Sequence, residues 1–152
     1  MRGRWRWWIV LVGVVGVDQL TKQLVVRWLV PYRPVRVVGD FIRLQYVHNP
    51  YAVFGVKMPG VLLIPVMVVV IGVILYFWVI RNFHWESTLI IGGAIGNLID
   101  RIMYKGVGVV DFIDIGVSRW RWPTFNVADT AVVIGMVVLG VKIVFGGKKH
   151  SP

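Results

Sequence analysis

Acidic residues are scarce in this chain, with six Asp and a single Glu, Glu86, standing against seventeen Lys and Arg. Their placement is therefore informative. Asp100, Asp111, Asp114 and Asp129 all lie in the C-terminal half. Asn97-Leu-Ile-Asp100 and Asn126-Val-Ala-Asp129 repeat a spacing of three, which on a helix sets amide and carboxyl on one face, so each Asn can orient its Asp. Two carboxyls brought close in a poorly solvated site cannot both ionise easily, so they share a proton and titrate as a unit. Such a pair suits peptide hydrolysis. The ionised member takes a proton from water while the protonated one polarises the scissile carbonyl, and proton return to the leaving amine completes the step. Composition and spacing leave open which two aspartates form the pair.

Other chemistries find less support. The chain has no cysteine, which excludes disulfides, thiol nucleophiles, cysteine-ligated metals and lipid attachment through its own thiol. His48, His84 and His150 are scattered and lack metal-ligand spacing, so no metal site is expected. None of Ser87, Ser118 and Ser151 sits in a nucleophile-elbow pattern, although a Ser-Lys dyad using Ser118 is a conceivable alternative. No phosphate-binding or dinucleotide glycine pattern is present, and Gly92-Gly93-Ala94-Ile95-Gly96 reads as close helix packing.

The elements that must position these groups are membrane-like. The chain is 57% hydrophobic and 16% charged, against about 25% charged for an ordinary soluble domain. Four apolar segments, 7–30, 61–80, 88–103 and 127–145, read as transmembrane helices of one integral membrane domain over 1–152. Asp18 and Lys22 interrupt the first of them, but four residues apart on a helix they share a face and neutralise each other. Lys142, near the end of the last, is expected to snorkel to the interface. A secretory signal is excluded for the first segment by the lack of a small-residue cleavage site after it. The formal charge of +10 flanks apolar runs instead of forming a polar stripe, so an anionic membrane surface is the expected partner and nucleic acid is not.

Four spans put both termini on one side, and the Arg2, Arg4 and Arg6 cluster places that side in the cytoplasm. Residues 1–8, 81–87 and 146–152 hold six Lys and Arg in 22 positions, while 31–60 and 104–126 hold seven in 53, which agrees in density. In the outer connections, residues 35–48 alternate in part and read as a strand with Gly39-Asp40 as a turn before it. Residues 104–126 read as a structured loop around Val109-Val110, and 146–152 as a solvated tail. The fold class expected is all-α, four transmembrane helices with a small extracytoplasmic β element.

Four blocks, in order, carry a resemblance to the lipoprotein signal peptidases, also called signal peptidase II. They are DQLTK (18–22), NPYAVFG (49–55), GGAIGNLIDR (92–101) continuing to VVDFID (109–114), and WPTFNVAD (122–129). The resemblance implies an intramembrane aspartyl endopeptidase that removes the signal peptide from diacylglyceryl-modified prolipoproteins, cutting immediately before the lipidated cysteine. It implies that Asp111 and Asp129 are the catalytic dyad and that Asn49, Asn97, Arg101 and Asn126 line the substrate site. Asp18, Lys22 and Asp100 are implied to be supporting residues. It further implies a small outer sheet that cradles substrate, no metal or organic cofactor, and a location in the bacterial cytoplasmic membrane. Lipid-modified prolipoproteins and membrane lipids are the implied partners, and nothing demands more than a monomer. Tyr51 stands where the family usually has Gly, and 102–110 runs longer than usual, so Asp111 is aligned on the VVDF string.

Two other classes of function compete. An ion or proton path needs polar residues through the full membrane depth, whereas 61–80 has no charge and the acids cluster toward one face. A non-catalytic assembly subunit suits the glycine-rich segment but gives no reason for paired Asn-x-x-Asp motifs.

Overall fold

The computed structural model describes residues 4–51, 60–80 and 85–146. It contains four long helices and one antiparallel sheet in the order α1 (Arg4–Trp28), β1 (Val35–Val38), β2 (Ile42–Asn49), α2 (Gly60–Ile80), α3 (Trp85–Met103), β3 (Val109–Val117), β4 (Trp120–Arg121) and α4 (Val127–Gly146). Strand order is β1-β2-β3-β4. The helices begin and end close to the expected segments. Two of them, over Trp5–Trp28 and Val127–Phe145, are long and apolar enough to cross a membrane. The apolar run of α2, Leu62–Trp78, is shorter, and α3 carries Glu86, Asp100 and Arg101.

α3 is the hub, touching the other three helices. Its glycines allow this. A Cβ on Gly93 would run into the Ala128 carbonyl oxygen and lie 2.7 Å from Val132 Cγ2, so α3 and α4 approach nearly backbone to backbone. On the other side, Ile91 joins Leu11 of α1 and Trp78 of α2 in one core cluster. The outward helix faces remain apolar, with Val12, Leu20, Val69, Val137 and Ile143 all more than half exposed. Such an inside-out distribution suits lipid as solvent.

The loop expected over 104–126 is largely a strand and a hairpin. Val109–Val117 forms a nine-residue strand paired with β2 over Ile42↔Ile115 to Asn49↔Val109. Its acidic residues disguise it, since Asp111 and Asp114 break the apolar run that marks a strand. Residues 35–48 divide into two strands about the Gly39-Asp40 turn. A second apolar cluster, Val25, Val110 and Phe112 with Leu29, Leu44, Tyr46, Tyr104 and Val127, fastens one face of the sheet to the ends of α1, α3 and α4. The readings of 52–55 in the second motif block, of His84 and of the tail 147–152 lie outside the described residues.

Gly93→Ala is expected to destabilise the protein by about 1–3 kcal/mol through overpacking. Gly72→Ala in α2, where a Cβ meets nothing within 4 Å, is expected to be neutral or slightly stabilising. Thermal unfolding of the two variants in one detergent checks the contrast.

Candidate active site

The polar groups converge where the C-terminal end of α3, the N-terminal end of α4, α1 and the sheet meet. Lys22, only 1% exposed, is at the centre. Its Nζ donates to Asp18 Oδ2 at 2.8 Å, Asp100 Oδ2 at 3.0 Å and Asn97 Oδ1 at 2.9 Å, which uses all three ammonium hydrogens. The two carboxylates are tied further. Asp18 Oδ1 accepts from the Ala128 amide at 2.9 Å, in the first turn of α4, and Asp100 Oδ2 accepts from the Val110 amide at 3.0 Å, in β3. Gln19 bridges both acids, its Nε2 donating to Asp18 Oδ2 at 3.2 Å and Asp100 Oδ1 at 3.0 Å. The supporting role expected of Asp18, Lys22 and Asp100 thus has a physical form, a buried ionic knot joining α1, α3, α4 and β3. Gln19 was missed, although a polar residue beside Asp18 in an apolar helix is itself a signal.

The repeated Asn-x-x-Asp motif does two different things. At 126–129 it is a reciprocal helix cap: Asn126 Oδ1 accepts from the Asp129 amide at 2.8 Å, and Asp129 Oδ2 accepts from the Asn126 amide at 3.3 Å. At 97–100 the two residues instead meet through Lys22. The Asn side-chain nitrogens reach outside their own motifs. Asn97 Nδ2 donates to Asp129 Oδ1 at 2.7 Å, while Asn126 Nδ2 donates to Asp111 Oδ1 at 2.7 Å and Asn97 Oδ1 at 3.1 Å. The expectation that each Asn orients its own Asp by side chain is corrected accordingly, because α3 and α4 pack so closely that the amides reach across.

Partners now separate the four candidate acids. Asp100 is neutralised by Lys22, and Asp114 by Arg43 Nε at 2.9 Å and Arg121 Nε at 2.6 Å. Burial alone would raise the Asp114 carboxyl, but the two guanidinium groups outweigh it and hold it below its ordinary value. Asp111 and Asp129 are left, with no ion pair among the described residues and with Asn126 bonded to both. Asp111 is 1% exposed, its Oδ2 accepting from Asn49 Nδ2 at 3.0 Å. Burial, and then the charge of Asp129, push it up to about 7 against the lowering hydrogen bonds of Asn49 and Asn126 and the attraction of Lys22. A pair that holds one proton near neutral pH is what acid-base hydrolysis requires.

The remaining expected residues border this pair. Asn49 Oδ1 accepts from the Tyr51 amide at 3.0 Å, and Arg101 Nη2 donates to the Tyr51 carbonyl at 2.6 Å. Arg101 Nε has no hydrogen-bond partner among the described residues. Gly108, at a φ of +114°, passes directly against the Asn49 carbonyl, where a Cβ would collide with it. Lys142 differs from expectation. Its Nζ does not simply reach for solvent but donates to both oxygens of the buried Glu86 at 2.9 and 3.0 Å, far from the site at the opposite ends of α3 and α4.

Comparison with known proteins follows the same lines. The family described as signal peptidase (SPase) II matches residues 10–145. A lipoprotein signal peptidase of Syntrophotalea carbinolica is 39% identical over 135 residues, covering 83% of each chain. That of Caldanaerobacter subterraneus subsp. tengcongensis is 37% identical over 144 residues, covering 91% of this chain and 96% of its own. In structure, the fold is similar to a bacterial membrane enzyme at a TM-score of 0.84 and 24% identity, over 99% of this chain and 96% of the other. A second bacterial membrane enzyme structure gives 0.82 and 25%, over 97% and 96%.

Lys22→Met is expected to cost about 3–5 kcal/mol by leaving two buried carboxylates without their cation, read as loss of folded protein on thermal unfolding. A second expectation concerns pH. Because the folded state raises Asp111 above its ordinary 3.8, the native protein holds the extra proton between 3.8 and about 7. Its stabilising contribution is complete below that window and is lost as pH rises through it. Asp111→Asn should flatten this slope in unfolding measured from pH 4 to 8.

Proposed function

Because the chain belongs to the signal peptidase II family of proteases, we propose that it is an intramembrane aspartyl endopeptidase acting on diacylglyceryl-modified prolipoproteins. It cuts immediately before the lipidated cysteine and releases the signal peptide. One observation carries this reading: among the described residues, Asp111 and Asp129 are the acids at the site without an ion pair, and the Asn126 side chain donates to the Asp111 carboxyl while accepting from the Asp129 amide. The two are the catalytic dyad.

In the resting site the dyad holds one proton, on Asp111. A water lying between the carboxyls is deprotonated by Asp129, and its oxygen attacks the scissile carbonyl carbon as Asp111 gives its proton to the carbonyl oxygen. The resulting neutral gem-diol collapses when Asp111 takes back a hydroxyl proton and Asp129 delivers its own to the departing amine. Asn97 and Asn126 keep the two carboxyls apart and aimed, and Asn49 does the same for Asp111 from the strand side. Arg101 Nε and the Asn49 amide lie at the border of the pair, where they contact the substrate backbone. No step needs a metal or an organic cofactor.

All four helices span the cytoplasmic membrane, with the termini in the cytoplasm and the sheet outside, in one domain over 1–152. Support comes from the apolar outward faces and from the position of the sheet at the end shared by the C-termini of α1 and α3 and the N-terminus of α4. The protein works as a monomer, and the substrate enters sideways with its acyl chains still in the bilayer.

Asp111→Asn and Asp129→Asn are each expected to lower cleavage of a lipidated prolipoprotein by about 10³-fold or more, in line with the loss of positioned proton transfer. Both should keep a folded, detergent-stable protein. A gel-shift assay run beside unlipidated substrate reads the result, and measurable cleavage by both variants would overturn the mechanism.

A further inference from the structure

Among the described residues, one end of the sheet is uncovered. Its packed face rests on the ends of the helices, through Val25 of α1, Leu29 after it, Tyr104 after α3 and Val127 of α4, so its strands run across those ends. Along the two strands the apolar cluster extends as far as Leu44 and Ile113, and the ion-paired Asp114 lies just beyond. From Ile113, β3 continues to Val117, a reach of about 13 Å at ~3.3 Å per residue. The β1–β2 turn runs beside it, the Gly116 amide donating to the Phe41 carbonyl at 3.0 Å, and Val117 pairs with Trp120 across the second turn. Two hairpin turns therefore overhang the helix bundle side by side.

This overhang is apolar at its tip and cationic around it. Val38 is 55% exposed, Phe41 51%, Val117 63% and Trp120 84%. Arg36 and Arg119 are exposed beside them. The tip is stiffened from beneath, since Arg121 donates both to Asp114, from Nε at 2.6 Å, and to the Asp40 carbonyl, from Nη1 at 3.0 Å, while Arg43 bonds Asp114. Four arginines against two aspartates leave it positively charged. A turn facing water has no use for four such apolar groups. A bilayer interface does, taking up Trp and Phe at headgroup depth while phosphates meet guanidinium groups.

We propose that the paired hairpin tip is an anchor for the anionic headgroup layer of the outer leaflet. Phe41 and Trp120 sink to the acyl boundary, and Arg36 and Arg119 meet lipid phosphates. Anchored at the helix ends and at the tip, the sheet is held at a fixed height over the bilayer. Asp111 and Asn49, which it carries, are held at the same height relative to a substrate that is itself rooted in lipid. The proposal rests on the reading of the helices as membrane spans.

The chain has no cysteine, so single positions can be labelled cleanly. A nitroxide at Ser118→Cys, in the second turn, and one at Val137→Cys, on the exposed face of α4, are each compared for collision with oxygen, which partitions into lipid, and with an aqueous nickel chelate. In vesicles containing phosphatidylglycerol both probes should favour oxygen. Arg36→Gln and Arg119→Gln should each lower the immersed-to-aqueous ratio of the Ser118→Cys probe about fivefold, the worth of one basic residue at an anionic surface. Phosphatidylcholine vesicles should lower it further, and none of these changes should move the Val137→Cys probe. A tip probe open to the chelate in anionic vesicles, shielded from both reagents, or indifferent to lipid charge and to the arginines overturns the proposal. An aqueous Val137→Cys probe overturns instead the spanning reading beneath it. None of these readouts depends on cleavage.

Discussion

A single buried ammonium group organises this molecule. Lys22 carries its charge into the helix bundle, and every hydrogen it can donate is taken by a group from the site region: Asp18 on its own helix, Asp100 and Asn97 on α3. Each acid then reaches a further element, Asp18 the first turn of α4 and Asp100 the start of β3. The desolvation cost of three buried charges is large, and such a group is tolerable only with full pairing. Here the pairing also serves as a ruler. Four elements remote in sequence are brought to one point by ionic contacts that tolerate little displacement, and the two uncompensated carboxyls are suspended beside it.

The contrast among the acids explains how one small region holds several carboxylates in different states. Asp114 sits between two guanidinium groups, which anchor it as a structural anion. Asp100 shares the lysine with Asp18. Among the described residues, the Asp111 carboxyl is hydrogen-bonded by the neutral amides of Asn49 and Asn126, which orient it without supplying the full charge that would commit it to ionisation. Partner type, more than burial, is what divides the ion-paired acids from the proposed dyad.

Much of this was legible beforehand, and the reasons differ by element. The helices could be read because long uncharged runs such as Val61–Ile80 favour a helix, which satisfies its own backbone polar groups. The Asp18 and Lys22 pair followed from its spacing, and α3 glycine packing from its small residues. The third strand was obscured because Asp111 and Asp114 interrupt its apolar signature. The crossing of amides between the two Asn-x-x-Asp motifs was invisible for another reason. Helical spacing predicts neighbours on the same helix, whereas the distances that matter here arise from the nearly glycine-only contact of Gly93 with Ala128. The Arg43, Asp114 and Arg121 cluster likewise depends on strand register, which local pattern does not specify.

The cap at the start of α4 has a consequence for how the protein comes into being. Asn126 closes the first turn of the last helix and, with the same side chain, fastens Asp111. Winding that helix and bringing Asp129 to the neighbourhood of Asp111 are therefore linked through one side chain. A chain emerging from the ribosome carries Asp111 before the twenty-residue α4 exists, and until then Asp18 lacks the Ala128 amide from which it accepts. Until that helix is translated and seated, Asp111 has neither its amide nor its companion carboxyl.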